Sequence, residues 1–403
     1  MNLDRLRECV HCGLCLNACP TYLELGTEMD SPRGRIYLLK ELAEGRLDLR
    51  QEVVRHLDLC LGCRACEPAC PSGVQYGHII EEARAHLERA APRSWLERLR
   101  RAAILRVFPY PRRLRALLGL AQAARRIGVW PLVTRRIEAA ALVPAPRPHT
   151  AVTGLHPARG PQRLRVGLLT GCVGEALFGE VNAAAIRVLT RAGVTVLVPE
   201  RQGCCGALHL HSGDPAAAQR LALNDIEAFP ADLDAVVVTA AGCGSTMKDY
   251  GQLFAGTAAE ARAQRFAARV RDVTEVLAEV AIAPSRPLRL RATYHDACHL
   301  AHAQRVRAEP RRLLASIPGL DLVELGEADV CCGSAGTYNL TEPAMARRLR
   351  ERKIDHIAAT GATCVVAANP GCALQIRAGL AARGMNVRVA HPVELLDEAS
   401  TDP

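Results

Sequence analysis

Aromatic side chains make up only 3 % of the 403 residues. Leu, Val, Ile and Ala must therefore fill any interior, and a stacking platform for single-stranded nucleic acid is not expected. Long hydrophobic runs are missing too. No stretch of about 18 uninterrupted apolar residues occurs, so no helix should span a membrane. Met1 leads straight into the charged Leu3-Asp4-Arg5-Leu6-Arg7-Glu8 without an apolar signal region, which predicts a cytoplasmic, reducing location. There the 17 cysteines stay as thiols, open to metal. Neither a G-x-x-x-x-G-K-[ST] phosphate loop nor a G-x-S-x-G elbow is present, which argues against nucleotide-dependent and serine-hydrolase chemistry. Acidic residues are nearly absent from one segment: between Arg93 and Arg136 twelve Arg face the single Glu97. That segment carries +11 of a net charge of +9, and the rest of the chain is near −2.

What is present is cysteine in two kinds of pattern. Cys9 to Pro20 and Cys60 to Pro71 each read C-x2-C-x2-C-x3-C-P, the ferredoxin spacing for cubane iron–sulfur clusters. Three cysteines two residues apart let one loop supply three thiolates, and the fourth comes from elsewhere. In two-cluster ferredoxins the last cysteine of each run serves the other cluster. On that pattern Cys9, Cys12, Cys15 and Cys70 hold one 4Fe-4S cluster, and Cys60, Cys63, Cys66 and Cys19 hold a second. Structural zinc is the competing reading, but zinc takes two C-x2-C pairs rather than a triple plus one. Pro20 and Pro71 are expected to stop the cluster loops from continuing as helix.

Between the two runs, Ser31-Pro32 signals a helix start and Gly45 a stop, and a second helix is expected over Glu52–Leu59. Arg33 and Arg35 have two readings, beside a cluster or solvated at a turn. From His78 to about Ile137 the pattern is helical and amphipathic, broken at Pro109 and Pro111. Its Arg, Leu and Trp content suits an anionic membrane surface or an acidic subunit; plain solvated helices are the alternative. The expected fold is α+β and multidomain: a helical ferredoxin-like domain (1–90), a basic amphipathic segment (91–143) and a Pro-rich linker (144–163), followed by a C-terminal α/β domain.

That α/β domain is an internal repeat (164–285 and 286–400). Strand Arg165–Leu169 precedes Cys172, strand Val194–Val198 precedes Cys204-Cys205-Gly206, and strand Ala235–Val238 precedes Cys243. The second half repeats the order with Cys298, Cys331-Cys332-Gly333 and Cys372. Matching cysteines are offset by 126, 127, 127 and 129 residues. Alternating strands and helices predict a parallel sheet, with these eight cysteines at strand ends, where open α/β folds place sites. A further iron–sulfur cluster is expected there: one per half, or one shared. Buried structural cysteines are the alternative. Cys364 has no counterpart and reads as core. His209, His211, His295 and His299 read as polar loop residues rather than ligands.

Two ferredoxin runs followed by two Cys-Cys-Gly repeats resemble the iron–sulfur subunits of glycolate, lactate and anaerobic glycerol-3-phosphate oxidation and of heterodisulfide reduction. Ser31-Pro32-Arg33-Gly34-Arg35-Ile36-Tyr37, Gly203-Cys204-Cys205-Gly206-Ala207 and Cys331-Cys332-Gly333-Ser334-Ala335-Gly336-Thr337-Tyr338 resemble the glycolate oxidase branch in particular. The resemblance implies a hetero-oligomer in which a flavin-containing subunit oxidises the hydroxy acid. This chain would then carry electrons towards a membrane quinone, as a peripheral protein of the cytoplasmic face. It implies no catalytic residue in this chain, and a nucleic-acid partner is not expected because no recognised binding motif accompanies the basic segment. Heterodisulfide reductase repeats carry one more cysteine three residues on, where Thr246 and Gln375 stand here. A thiol-disulfide reductase acting at the C-terminal cysteines is the reading from another class.

Overall fold

The computed structural model describes residues 3–91, 93–136, 140, 142–144 and 152–400. Its N-terminal part is helical. The Ser31 side chain accepts a hydrogen bond from Gly34 N at 3.0 Å, and Pro32 takes the first turn of the helix Pro32–Ala43. Proline costs nothing there because the first amides of a helix lack intrahelical partners. Pro20 does the same for the helix Pro20–Leu25, so this proline starts a helix where it was expected to prevent one. A Cβ on Gly34 would fall 2.0 Å from the Glu28 carbonyl oxygen, so only glycine lets this helix close on the turn before it. The helices Gln51–Asp58 and Tyr76–Ala90 complete the scaffold. Leu39, Val54, Leu57, Ile80 and Leu87 meet between them, all buried. Burying each such side chain contributes on the order of 1.5–3 kcal/mol.

The basic segment forms the helices Trp95–Val107, Pro111–Arg126 and Trp130–Arg136. Ile104 and Leu114 are buried, whereas Trp95 is 71 % exposed, Leu120 69 % and Ile127 73 %. The pattern therefore has two apolar faces, one packed and one bare. Ile137 and linker residues 145–151 lie outside the described residues. No helix among the described residues is long and apolar enough to cross a membrane.

Nine strands among the described residues make two sheets. The first, ordered β1-β3-β2-β4-β5, contains β1 Gly154–His156, β2 Leu164–Leu169, β3 Val194–Val198, β4 Ala235–Val238 and β5 Val270–Asp272. The second, ordered β7-β6-β8-β9, contains β6 Leu290–His295, β7 Leu320–Val323, β8 Cys364–Ala367 and β9 Arg388–Ala390. Apart from β1 the orders match, which is the internal repeat made visible. The predicted parallel arrangement needs one correction: β1 pairs antiparallel with β3, Leu155 opposite Leu197. It lies in the stretch read as linker, where Pro and Gly content hid a three-residue strand. One apolar core runs through both repeats, from Val166, Val196 and Val237 to Ile357, Val366 and Leu396. Cys364 lies in it, 0 % exposed, with its thiol pushed up to about 11 by burial.

Candidate metal centres

The two cysteine runs fold as loops that bring the eight thiols into two groups. Cys70 and Cys12 are the thiols nearest in effect to Cys9, whose own thiol burial pushes up. Cys15 is pushed up to about 11, first by burial, with Cys9 and Cys19 adding to it. Cys66 has Cys63, Cys60 and Cys19 around it. Cys70 thus acts on the first run, whereas Cys19 acts on thiols of both runs, on Cys15 in the first and on Cys63 and Cys66 in the second. The groups differ in depth: Cys12 is exposed, Cys9, Cys15 and Cys70 are half-buried, and Cys19, Cys60, Cys63 and Cys66 are buried.

Positive charge balances the deeper group. Arg35 is 1 % exposed, which overturns its reading as a solvated turn residue. Its Nε donates to the His56 carbonyl at 2.7 Å, Nη2 donates to Thr21 Oγ1 at 3.0 Å, and Nη1 lies 3.9 Å from Cys19 Sγ. Burial raises the Cys60 thiol, but Arg35 and Arg84 outweigh it and bring Cys60 below its ordinary value. Arg33 stays near the surface, paired to Glu28 at 2.7 Å, and donates to the His11 carbonyl in the first cysteine loop at 3.0 Å.

The deeper group abuts the second repeat. Cys63 shares a buried cluster with Cys331 and Tyr338, and Cys298 packs against it. Two hydrogen bonds clamp the junction: the Tyr338 hydroxyl donates to the Leu59 carbonyl at 2.9 Å, and His299 Nε2 donates to the Gly62 carbonyl at 3.0 Å. Arg64, bonded to Asp249 at 2.5 Å, ties the same loop to the first repeat.

Within each repeat the four thiols touch in the same order. In the first, Cys204 contacts Cys172 and Cys205, and Cys205 contacts Cys243. In the second, Cys331 contacts Cys298 and Cys332, and Cys332 contacts Cys372. The second cysteine of each adjacent pair is the favoured anion. Cys205 lies well below its ordinary value because Cys204 and Cys243 donate to it, and Cys332 likewise because Cys331 and Cys372 do. Four converging soft sulfurs, one already favoured as thiolate, suit iron–sulfur or zinc coordination.

Adjacent cysteines can both turn inward only if the chain reverses directly after them. Gly206 and Gly333 do this at φ +83° and +85°, the left-handed region that glycine enters freely. An added Cβ would meet the Ala218 carbonyl oxygen at 2.8 Å and the Ala346 carbonyl oxygen at 2.6 Å. Gly206→Ala and Gly333→Ala should each cost at least about 1–3 kcal/mol of strain. Thermal unfolding should read that loss, and metal content should read the displaced cysteine pair.

All eight repeat cysteines line one cavity of about 600 Å³. Its opposite wall is apolar and comes from the basic segment, with Leu114, Leu117, Leu118, Ala121 and Trp130. The histidines read from sequence as polar loop residues are not all so. His295 is 0 % exposed, at the end of β6. His211 and His299 stand edge to face with ring centres 5.2 Å apart and both line the cavity. His211 Nδ1 pairs with Glu81 at 2.9 Å, and His209 Nδ1 with Asp214 at 3.2 Å. For His295 the signal was available: it ends a strand three residues before a cysteine.

Comparison with known proteins agrees with this anatomy. Residues 5–74 match the model of a 4Fe-4S dicluster domain, and residues 166–248 and 292–377 each match a cysteine-rich domain. The chain is 40 % identical to the "Probable glycolate oxidase iron-sulfur subunit" of Bacillus subtilis (strain 168), over 99 % of this chain and 95 % of that one. It is 36 % identical to the "Glycolate oxidase iron-sulfur subunit" of Escherichia coli (strain K12), over 98 % and 94 %. "Lactate utilization protein A" of Geobacillus kaustophilus (strain HTA426) is 34 % identical over 58 % of this chain and 99 % of its own. With near full-length similarity, two ferredoxin-type runs and a doubled Cys-Cys-Gly unit, the chain belongs to the family of glycolate oxidase iron–sulfur subunits.

Proposed function

We propose that this chain is the electron-transfer subunit of a flavin-linked glycolate dehydrogenase, passing electrons from a flavin subunit that makes glyoxylate towards a membrane quinone. The observation that carries the reading is the junction at Cys63. Thiol groups stand in series from exposed Cys12, through the buried set of Cys60, Cys63, Cys66 and Cys19, to Cys298 and Cys331 at the cavity. Iron–sulfur clusters, when bound, supply one-electron storage at potentials tuned by nearby charge, hydrogen bonds and burial. Cys9, Cys12, Cys15 and Cys70 would hold the outer one and Cys19, Cys60, Cys63 and Cys66 the inner one, with the repeat cysteines holding further iron. The protein's own part is to fix the thiolates, balance their charge with Arg35 and Arg84, and exclude water at the Tyr338 and His299 clamps.

Entry is expected at the outer group. Val10 and Leu14, 68 % and 62 % exposed, flank Cys12 and suit the flavin subunit as partner. Substrate choice rests with that partner, so lactate or glycerol 3-phosphate would change nothing here. The testing measurement is iron and acid-labile sulfide per chain in anaerobically purified protein. About eight irons are expected from the two runs, and about twelve or more if the repeats also take clusters. Zinc without iron, or disulfide turnover by the chain alone, would overturn the reading.

The apolar cavity wall and the bare face of the same helices support delivery of a lipophilic acceptor from a bilayer. Binding to anionic vesicles should weaken as salt is raised, because Debye screening shortens from about 10 Å at 0.1 M to about 3 Å at 1 M. Leu120→Asp, on the exposed face, should weaken it further. Co-sedimentation reads both, and vesicle binding indifferent to salt and to this substitution would remove membrane attachment from the proposal.

A further inference from the structure

The two repeats share a backbone plan but differ in the charge and donors around their thiols. Leu169 ends β2 and pairs in register with Val238, and His295 ends β6 and pairs with Ala367. The two positions are equivalent, so one repeat has an apolar side chain where the other has imidazole. His295 is 0 % exposed, and neither ring nitrogen has an oxygen or nitrogen partner among the described residues. Its polar neighbour is the sulfur of Cys332, to which it hydrogen-bonds, and the first repeat has leucine in its place. A ring nitrogen of His295 and the sulfurs of Cys332 and Cys372 all lie within 4.8 Å of one another.

A second difference lies behind the adjacent cysteine pairs. Ala218 and Ala346 cover Gly206 and Gly333 in the same way, and seven residues along each of those helices stand Asp225 and Lys353. Both are buried, at 0 % and 2 % exposed. Asp225 accepts from Gly203 N at 2.8 Å, and Lys353 donates to the carbonyls of Glu327 and Ala328. The acid acts on Cys205 and the ammonium on Cys332 and Cys331. Gln375, where a fifth cysteine would otherwise stand, is committed: its Nε2 donates to the Ala346 carbonyl at 3.0 Å, and its Oε1 accepts from Asn339 at 3.2 Å.

We infer that His295 is a nitrogen ligand of the metal centre in the second repeat, giving that centre a mixed nitrogen and sulfur donor set while the first repeat offers sulfur alone. The inference rests on the proposed reading that the repeats hold iron. One imidazole nitrogen lends its lone pair to the metal and the other keeps its proton, so no redox step is required to form the site. With the imidazole bound in place of one of the four thiolates, the potential of the iron–sulfur centre rises, and Lys353 acts in the same direction. The second repeat then becomes the electron sink, on the side where Cys63 adjoins it.

The experiment is pulsed electron paramagnetic resonance on the full chain, purified anaerobically with 15N-labelled histidine and reduced stepwise, alongside iron analysis. A strong 15N coupling on one centre, lost in His295→Leu while the iron of the ferredoxin runs stays, is the expected result. That variant should also lower the potential of the same centre. Iron above about eight per chain without strong histidine coupling would overturn the inference and leave the proposed reading standing. Iron of only about eight, with no histidine coupling, would overturn both. The wild-type spectrum decides even if His295→Leu folds poorly.

Discussion

Cys63→Ala should uncouple the chain. Iron should fall by about four per chain, and reduction of quinone by the assembled complex should drop to background, while the flavin subunit still oxidises glycolate with an artificial dye. The argument is geometric. Cys63 is buried, burial first of all raises its thiol, and among neighbouring charges that of Cys298 acts on it most. It is thus both a member of the inner group and the wall shared with the second repeat. Removing its sulfur opens the inner cluster at its point of contact onward. Cys364→Ala is the control: that thiol is also buried, but it begins β8 within the apolar core, away from both cysteine runs, so iron and turnover should stay unchanged. If Cys63→Ala kept its iron and its quinone reduction, the series of thiol groups would not be the route.

Arg35→Leu should be the most damaging single change outside the cysteines. Asp30 is 3 % exposed, and its carboxylate lies 3.8 Å from Arg35 Nη2 and 2.8 Å from His56 Nδ1. Removing the guanidinium leaves that carboxylate short of its cation in the interior, a loss of about 3–5 kcal/mol for buried pairs broken on one side. The His56 carbonyl and Thr21 hydroxyl lose their donor as well. Because the cation sits beside Cys19 and Cys60, it favours the more negative, reduced state of what those thiols hold. Its removal should lower that midpoint potential by on the order of 100 mV, taking one charge at about 6 Å in an effective dielectric near 20. Arg35→Lys keeps the charge and loses the fork, so it should restore potential more than stability. Denaturant unfolding and a redox titration followed by paramagnetic resonance separate the two effects. An unchanged potential in the leucine variant would show that Arg35 serves packing only.

Much of this was legible in the sequence because cysteine spacing and strand runs are local patterns. Val194–Val198 and Ala235–Val238 are short β-branched or buried runs whose ends coincide with the observed strands. The helix after Ser31 announces itself through cap and proline. The features that were not legible depend on contacts distant in sequence. Nothing local says that Arg35 is buried against residues 14 to 21 positions away, or that Gly62 meets His299 across 237 positions. β1 escaped because three residues carry no period, and its strand character comes from pairing with β3. The two repeats were recognised by their shared cysteines, and that likeness concealed the residues in which they differ, Leu169 against His295 and Asp225 against Lys353.

The gradient of depth along the thiol groups also fixes an order of decay. Cys12 faces solvent while Cys60, Cys63 and Cys66 do not, so dissolved oxygen reaches the outer group first and thiolate oxidation begins there. Air-exposed preparations should lose their point of electron entry while the inner iron persists. Such samples stay coloured and folded but no longer accept electrons from the partner, and colour alone would overstate how much working protein remains.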